Sequence, residues 1–301
     1  MGYIHIENLD TPKGRRLLLF KEVYALEKVF GTSARIDWRD GTVFFSSGGS
    51  DAVLFKEFFN EEQLKDGFRK LGHPRISING EAYGGKEQGQ SGRYGNELRF
   101  IVFDIKIGDL WLAVPNMQQV SDSLGLETVP WTKISTDINK LRELRDAPSE
   151  VAVRRGVPKA VDREGVVLRP LIELKANDGE RLIAKFKGKM FSERKTWKDD
   201  PTAVSPVLVK ADSVAEEWVT EMRLTHVLQH IQATGTIAGL RSDGGIVGSA
   251  VLEDVRREAG GEIVWNKETE RAVKRKGAQL FLNRLASKPE GEAQCESPKS
   301  K

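Results

Sequence analysis

Cysteine is almost absent from this sequence, and the single one, Cys295, lies in a polar C-terminal segment. One cysteine cannot form a disulfide framework or a thiolate metal cluster, so small disulfide-stapled domains and zinc ribbons are excluded. Long apolar runs are also absent, since none approaches the ~18 residues that a membrane span needs. The N-terminal MGYIHI lacks the basic-then-apolar order of a secretion signal. We therefore expect a cytoplasmic protein with no membrane partner.

An excess of charge of one sign is also lacking, because 47 basic and 44 acidic residues leave a net charge of only +3. The overall charge therefore does not imply a polyanionic partner. The distribution is uneven, however, with seven basic residues and one acid over residues 181–198. Such a run can contact phosphates, or it can be the solvated face of a strand and loop.

Residues 1 to about 200 have the pattern of a mixed α/β domain with many strands. Residues 15–29 are β-prone, and Asp40-Gly41 is typical of a hairpin turn. Asn60 is predicted to cap a helix that begins directly after it.

The pattern becomes helical from residue 205. We expect a small all-helical domain over 205–288 and a disordered polar tail over 289–301. Residues 213–231 repeat apolar side chains every three or four positions, which predicts one amphipathic helix. Ser213 and Glu216 match a capping box at its start.

Two common site motifs are not matched. His226 and His230 have the spacing of zinc ligands on a helix, but Val227 stands where a zinc protease needs glutamate. The glycine-rich segment 83–92 lacks the Lys-Ser/Thr that ends a phosphate-binding loop. We therefore expect structural or surface histidines and a mobile surface loop.

Five short segments are each weak evidence for catalysis, but together they fit one reaction. They are EKVFG at 27–31, INGEAYG at 78–84, FIVFD at 100–104, EGVVLR at 164–169 and KFK at 185–187. They contribute amines, isolated carboxylates and an aromatic strand able to stack on a base.

In this order, the segments resemble the motifs of the covalent nucleotidyltransferase superfamily, which contains polynucleotide ligases and capping enzymes. The ATP-dependent RNA ligase 2 group is the most similar. KVFGTS resembles the motif with the nucleotidyl lysine, and the others follow as NGEAYGG, FIVFDI, EGVVLRP and IAKFKGKMFSE. The resemblance covers about residues 20–195. It implies an α+β, antiparallel-sheet-rich, ATP-grasp-like ligase domain at 1–204, followed by a small all-helical domain that engages nucleic acid.

The resemblance also implies roles for individual residues. Lys28 is the expected nucleophile that accepts AMP from ATP. Lys185 and Lys187 would hold the α-phosphate, Glu81 the ribose hydroxyls, and Glu164 a magnesium or manganese ion.

The remaining implied contacts concern the base and the nucleic acid. Phe103 would stack on adenine, with Phe100 as the alternative. Gly31 would allow the backbone to approach the nucleotide, and Glu27 would contribute backbone contacts to the base edge. The candidate contacts to nucleic acid are Arg35, Lys189, Arg194 and Lys195.

Several positions depart from related patterns. Phe30 stands where DNA ligases and capping enzymes carry aspartate, and Ser33 where RNA ligase 2 members often have asparagine. The arginine that such enzymes often carry in the following strand is not visible, and Arg35 is a candidate substitute.

The expected function is an ATP-dependent RNA ligase that joins 3′-hydroxyl and 5′-phosphate ends through a lysyl-AMP intermediate. Its expected cofactors are ATP and Mg²⁺ or Mn²⁺. Its expected partner is RNA or an RNA-containing duplex, and we expect it to be a monomer. Three alternatives remain open: a DNA or mixed-end ligase, a GTP-using capping enzyme, and a non-catalytic nucleic-acid-binding protein.

Overall fold

The computed structural model of this protein describes residues 3–48, 52–85, 91–157, 161–203, 207–233, 237–259 and 261–287. The chain divides into two compact units, Met1–Ser192 with Trp197–Val204, and Glu193–Thr196 with Ser205–Lys301. The predicted tail at 289–301 and part of the predicted surface loop at 83–92 lie outside the described residues. Among the helices of the described ranges, none has the length and apolarity needed to cross a bilayer.

The first unit contains the strands and several helices. Its strands are β1 (Glu7–Asn8), β2 (Glu22–Lys28), β3 (Thr32–Arg39), β4 (Thr42–Ser47), β5 (Arg75–Tyr83), β6 (Arg99–Ile107), β7 (Leu110–Trp111), β8 (Trp131–Ser135), β9 (Gly165–Arg169) and β10 (Ala184–Lys187). Its helices are α1 (Ala52–Glu57), α2 (Glu61–Leu71), α3 (Ser91–Tyr94), α4 (Val114–Ser123), α5 (Ile138–Arg145) and α6 (Glu150–Arg154). The second unit contains α7 (Ala211–Trp218), α8 (Glu221–Ala233), α9 (Gly244–Glu258) and α10 (Lys267–Ala286).

The first sheet has the strand order β1-β10-β9-β2-β8 and is antiparallel except for the parallel pair β1–β10. Alternate residues of β2, Val23 and Ala25, are buried in an apolar core with Leu17 and with Leu141 of α5. Because side chains alternate along a strand, Lys28 lies on the opposite face of β2. This face of the sheet carries the predicted lysines.

The predicted strand over residues 15–29 is correct only from Glu22 onward. Gly14–Leu19 forms a 3-10 helix instead. The Thr11 hydroxyl oxygen accepts a hydrogen bond from the Gly14 N–H at 3.0 Å, and the Arg15 N–H donates to the Thr11 carbonyl. This local side-chain capping outweighs the β-propensity of the leucine-rich run.

The second sheet has the strand order β4-β3-β5-β6-β7 and is antiparallel. On one face, Trp38 stacks on Phe68 of α2 with ring centroids 5.3 Å apart, and Phe100 packs against Phe55 and Phe59. The other face has polar side chains on adjacent strands, namely Ser33, Arg35, Asn79, Glu81 and Asp104. The two faces therefore differ in chemistry.

A β-bulge in β6 sets which residues reach the polar face. Asn79 pairs with Asp104 while Gly80 pairs with Val102, so Phe103 is the extra residue. Without the bulge, simple alternation from Phe100 would put Asp104 on the apolar face.

A buried charged cluster joins the two sheets through Asp104. One carboxylate oxygen lies 3.1 Å from Arg169 of β9, and the other lies 2.6 Å from Arg181. The Tyr3 hydroxyl donates a hydrogen bond to Asp104 at 2.5 Å. Burial, and then the Asp104 charge, raise the pKa of Tyr3 well above its ordinary value, so the phenol keeps its proton.

Replacing Asp104 with alanine is expected to lower the free energy of unfolding by about 3–5 kcal/mol, because two buried guanidinium groups lose their shared carboxylate. Urea unfolding measures this. Asp66→Ala is the matched control, since Asp66 pairs with Arg69 at 2.7 Å on the surface of α2 and such pairs contribute about 0–1 kcal/mol. Equal losses for both variants would contradict the structural role of Asp104.

Two local predictions are confirmed. The Asn60 side chain accepts a hydrogen bond from the Gln63 N–H at 3.1 Å, so it caps α2. Asp40 and Gly41 form the turn between β3 and β4, with positive φ angles of 46° and 88°.

The second unit is a helical bundle with its own core. Its largest contributors include Trp218, Leu224, Val251, Val273 and Phe281. Helix α9 approaches α10 closely at Gly248, where an added Cβ would lie 2.5 Å from the Lys274 carbonyl oxygen. The fully buried Arg223 forms an ion pair with Asp254.

The single helix predicted over 213–231 is wrong, because the structure has two helices. Helix α7 is preceded by Lys210, so Ser213 is not at a capping position. The chain is extended at Val219, with φ −102° and ψ 93°, and the Thr220 hydroxyl then accepts the Arg223 N–H at 3.2 Å. A new cap in the middle of the periodic segment therefore starts α8.

Candidate active site

The strand register brings Lys28 and Lys187 to the two sides of one glycine. Lys28 of β2 pairs with Gly165 of β9, and Gly165 also pairs with Lys187 of β10. Residues directly opposite each other in an antiparallel sheet project from the same face. Lys185, two residues before Lys187, shares that face.

Glu164 connects the two lysines. Its Oε2 lies 2.7 Å from Lys28 Nζ, its Oε1 lies 3.5 Å from Lys187 Nζ, and its side chain is only 2% exposed. A buried carboxylate between two amines is an arrangement in which each charge lowers the cost of burying the others. The three predicted residues therefore form one cluster.

Glycine is required next to Glu164. Gly165 has a φ of +154°, and an added Cβ would lie 2.7 Å from the Lys187 Cα and nearer still to the Phe186 carbonyl oxygen. The close contact between β9 and β10 therefore excludes a side chain at this position.

Glu81 lies beside the turn that follows Lys28. It pairs with Ser33 across β5 and β3. An added Cβ at Gly31 would lie 2.9 Å from the Glu81 Cγ and closer to the Ala82 carbonyl oxygen. The structure thus gives a second reason for Gly31 besides the predicted approach to a nucleotide: strand β5 leaves no space for a side chain.

The two aromatic candidates in β6 have different surroundings. Phe100 is buried on the apolar face of the second sheet, 5.3 Å from the Phe55 ring and 5.6 Å from the Phe59 ring. Phe103 is only partly buried and packs edge-on against the Tyr3 ring at 4.9 Å. Phe100 is therefore a core residue, which leaves Phe103 as the candidate for base stacking.

The Glu27 side chain has a structural role. It accepts hydrogen bonds from the Ser149 hydroxyl at 2.5 Å and the Glu150 N–H at 2.9 Å, at the start of α6. Burial raises the pKa of Glu27 above its ordinary value. Its backbone N–H donates to the Pro130 carbonyl at 2.8 Å. The contact between the Glu27 backbone and a base edge stays a prediction. Because the Glu27 N–H is already used, the Glu27 carbonyl would make that contact.

The predicted nucleic-acid contacts are spread over different environments. Arg35 Nε lies 2.9 Å from Asp37 on the polar face of the second sheet. Lys189 is exposed in a short 3-10 helix after β10. Arg194 and Lys195 belong to the second unit.

Arg194 is held inside the second unit. Its guanidinium lies 2.6 Å from Glu262 and stacks on the Trp218 ring at 4.1 Å. Lys195 is exposed, 3.7 Å from Glu216. The basic run at 181–198 is therefore not one solvated cluster, since Arg181 is also buried against carboxylates.

The site contains an aromatic contact that the sequence did not reveal. Phe30 is buried, and its ring lies 5.5 Å from the Phe191 ring. Its backbone N–H donates to the Tyr94 hydroxyl at 3.2 Å. Apolar packing therefore occupies the position where DNA ligases carry aspartate. Each phenylalanine comes two residues after a lysine that the sequence analysis named as a candidate site residue, Lys28 for Phe30 and Lys189 for Phe191. This position next to candidate site residues was the signal in the sequence that pointed to the two rings.

The cluster contains few of the groups that bind metals. In the described part of the chain, no group of three or more His, Cys, Asp or Glu side chains is placed to hold a metal ion. His226 instead lies 2.6 Å from Glu193, which agrees with the structural role predicted for it.

The chain is similar to known RNA ligases in both sequence pattern and fold. A family model for RNA ligases matches residues 21–187. No curated protein matches the chain significantly. The solved RNA ligase of Naegleria gruberi with PPi is similar, with a TM-score of 0.50 and 16% identity over 64% of this chain and 57% of that one. A mutant of that ligase with ATP and Mn gives the same values. The chain thus spans less than two thirds of that ligase, and the likeness shows a shared fold.

The chain combines two mainly antiparallel sheets with a lysine–glutamate–lysine cluster at the strand ends of one of them, and its fold is similar to that of a solved RNA ligase. The chain belongs to the RNA ligase family, whose model covers more than half of its 301 residues. The predicted α+β fold, rich in antiparallel sheet and followed by helices, is confirmed.

Proposed function

We propose that this protein is an ATP-dependent RNA ligase that uses Lys28 as its nucleophile. The observation that carries the proposal is the contact of Glu164 with both Lys28 and Lys187, at 2.7 Å and 3.5 Å, on the strand face that also bears Lys185. Two amines on one carboxylate, with a third amine on the same strand face, suit a substrate that brings several negative charges.

The first step transfers AMP to the protein. Lys28 Nζ attacks the α-phosphorus of ATP, a P–N bond forms, and the bond to pyrophosphate breaks. The attacking amine must have lost its proton, so the Lys28–Glu164 ion pair opens before the attack. Lys185 and Lys187 hold the α-phosphate oxygens as negative charge shifts among them.

Two further transfers complete the reaction. The 5′-phosphate of an RNA end takes AMP from Lys28, which restores the free amine. A 3′-hydroxyl then attacks the 5′-phosphorus, a phosphodiester forms, and AMP leaves. Sealing of nicks or breaks in RNA is the expected outcome.

The nucleoside would be held by the second sheet. Glu81 would accept hydrogen bonds from the ribose hydroxyls, and Phe103 would stack on adenine. A related ligase is known with ATP and Mn, which supports the same nucleotide and a divalent metal here.

The donor set suits a hard divalent cation that keeps most of its own waters. Glu164 is the residue that would hold Mg²⁺ or Mn²⁺, since its carboxylate is buried beside the two lysines that would contact the phosphates. When bound, the metal supplies positive charge to the phosphate oxygens of ATP. Few protein ligands are needed, because Mg²⁺ is usually bound by one or two carboxylates with phosphates and waters.

A nick-sealing assay tests the proposed function. A duplex with a 5′-phosphate and an RNA 3′-hydroxyl at the nick is incubated with protein, ATP and Mg²⁺. We expect a joined strand with ATP, less with GTP, and none when the 5′ end is a hydroxyl. Equal sealing of an all-DNA nick would point instead to a mixed-end ligase. Binding without joining would contradict the proposal and favour a non-catalytic protein.

A further inference from the structure

Helix α10 presents four basic residues on its exposed face. Lys267, Arg271, Lys274 and Arg275 are all exposed, and at 100° per residue they fall within an arc of about 100°. They span nine residues, or about 12 Å along the helix axis. The buried residues of α10, such as Val273, pack into the core of the second unit. We call these four residues the α10 basic face.

The spacing within this face is unfavourable for the helix alone. Lys267 and Arg271 are four residues apart, as are Arg271 and Arg275, and like charges at this spacing destabilise a helix. Other helices of the chain place an acid three or four residues from a basic residue. Examples are Lys65 with Glu61 at 3.0 Å, Arg69 with Asp66 at 2.7 Å and Arg256 with Glu253 at 3.0 Å. The α10 basic face therefore costs stability that an acidic neighbour would recover.

Acidic residues of the second unit also neutralise the α10 basic face only weakly. In the described ranges, Lys267, Arg271 and Lys274 form no ion pair, whereas the neighbouring Lys276 pairs with Glu216 at 2.6 Å. Arg275 contacts Asp212 at 3.3 Å, but the two side chains are 73% and 87% exposed, so water screens the pair.

The acidic residues of α10 itself do not neutralise the basic face either. Glu268 and Glu270 lie in its first turn, where negative charge is favourable at a helix N-terminus. Glu270 is already paired with Arg256 at 2.5 Å.

We propose that the α10 basic face binds the phosphate backbone of the RNA, a role that rests on the proposed function for its choice of polyanion. Exposed, unpaired cations release the counterions of a nucleic acid when they contact its phosphates. A membrane surface fits less well, because an interfacial helix needs its apolar face free, and that face of α10 is buried.

The test compares two triple variants with the same loss of charge. The first is Lys267→Gln/Arg271→Gln/Lys274→Gln. The control is Lys56→Gln/Lys65→Gln/Arg69→Gln, in which each cation is paired with an acid near or on α2. Binding to a labelled nicked RNA duplex is measured at several salt concentrations.

We expect the first variant to bind at least about tenfold more weakly at low salt, with the slope of log affinity against log salt reduced by about two to three. The control should keep the wild-type slope. Labelling by α-labelled ATP without RNA should stay normal in both variants, which also shows that the first unit is intact.

An unchanged slope in the α10 variant, or an equal loss in the control, would overturn the inference and assign the effect to net charge or to a different partner. The result does not depend on catalysis. If wild-type protein failed to accept AMP, the proposed function would fail, while the binding slopes would still decide the role of α10.

Discussion

Replacing Lys28 with alanine is expected to abolish the transfer of AMP from ATP to the protein, a loss of more than about 10⁴-fold in rate. The effect is large because the covalent bond forms on the Nζ atom of this residue. Incubation with α-labelled ATP and Mg²⁺, followed by denaturing electrophoresis, measures the labelled fraction. Lys28→Arg should behave in the same way, because it keeps the charge but removes the nucleophilic amine.

Lys133→Ala is the matched control for this prediction. Lys133 of β8 pairs with Glu22 at 2.8 Å, at the other end of the strand that holds Lys28. The control removes a lysine–glutamate pair from the same sheet, so full labelling is expected. If Lys28→Ala were folded and still labelled, the assignment of the nucleophile would be wrong.

Replacing Glu164 with glutamine is expected to slow AMP transfer by on the order of 10²–10³-fold, an effect typical of a buried group that stabilises charge in a site. The substitution keeps the shape of the side chain but removes the charge that Lys28 and Lys187 share. Single-turnover labelling at saturating ATP measures the rate. Thermal unfolding of the same variant separates the loss of rate from a loss of structure.

Glu61→Gln provides a control with the same chemistry at the surface. Glu61 also bridges two lysines, Lys56 and Lys65, each at 3.0 Å, but on the outside of α2. Its loss should leave AMP transfer unchanged. A Glu164→Gln variant that transfers AMP as fast as Glu61→Gln would remove Glu164 from the proposed site.

The resemblance to ligase motifs grouped Lys28, Glu164 and Lys187, and all three lie in or next to regular strands. Lys28 ends one strand, Glu164 precedes another and Lys187 ends a third, so alternation and antiparallel pairing suffice to bring them together. The turn at Asp40-Gly41 was predicted from the sequence because its conformation is fixed by these two residues themselves.

Features that depend on tertiary packing were not predictable. The bulge at Phe103 changes which face its neighbours occupy, so alternation alone could not decide between Phe100 and Phe103. The partner of Phe30 is Phe191, far along the chain.

The prediction of one helix over 213–231 was wrong for a local reason. The apolar periodicity continues through Thr220, but the Thr220 hydroxyl caps a new helix there. A monomeric state and a cytoplasmic location remain predictions from the sequence.

The central claim is that Lys28 carries AMP, and locating the modified residue tests it most directly. Protein exposed to ATP and Mg²⁺ is analysed as an intact mass, digested, and the modified peptide is fragmented. The account predicts one added AMP group, found on Lys28 and lost on adding pyrophosphate. An unmodified protein, or AMP attached to another residue such as Lys185 or Lys187, would contradict it.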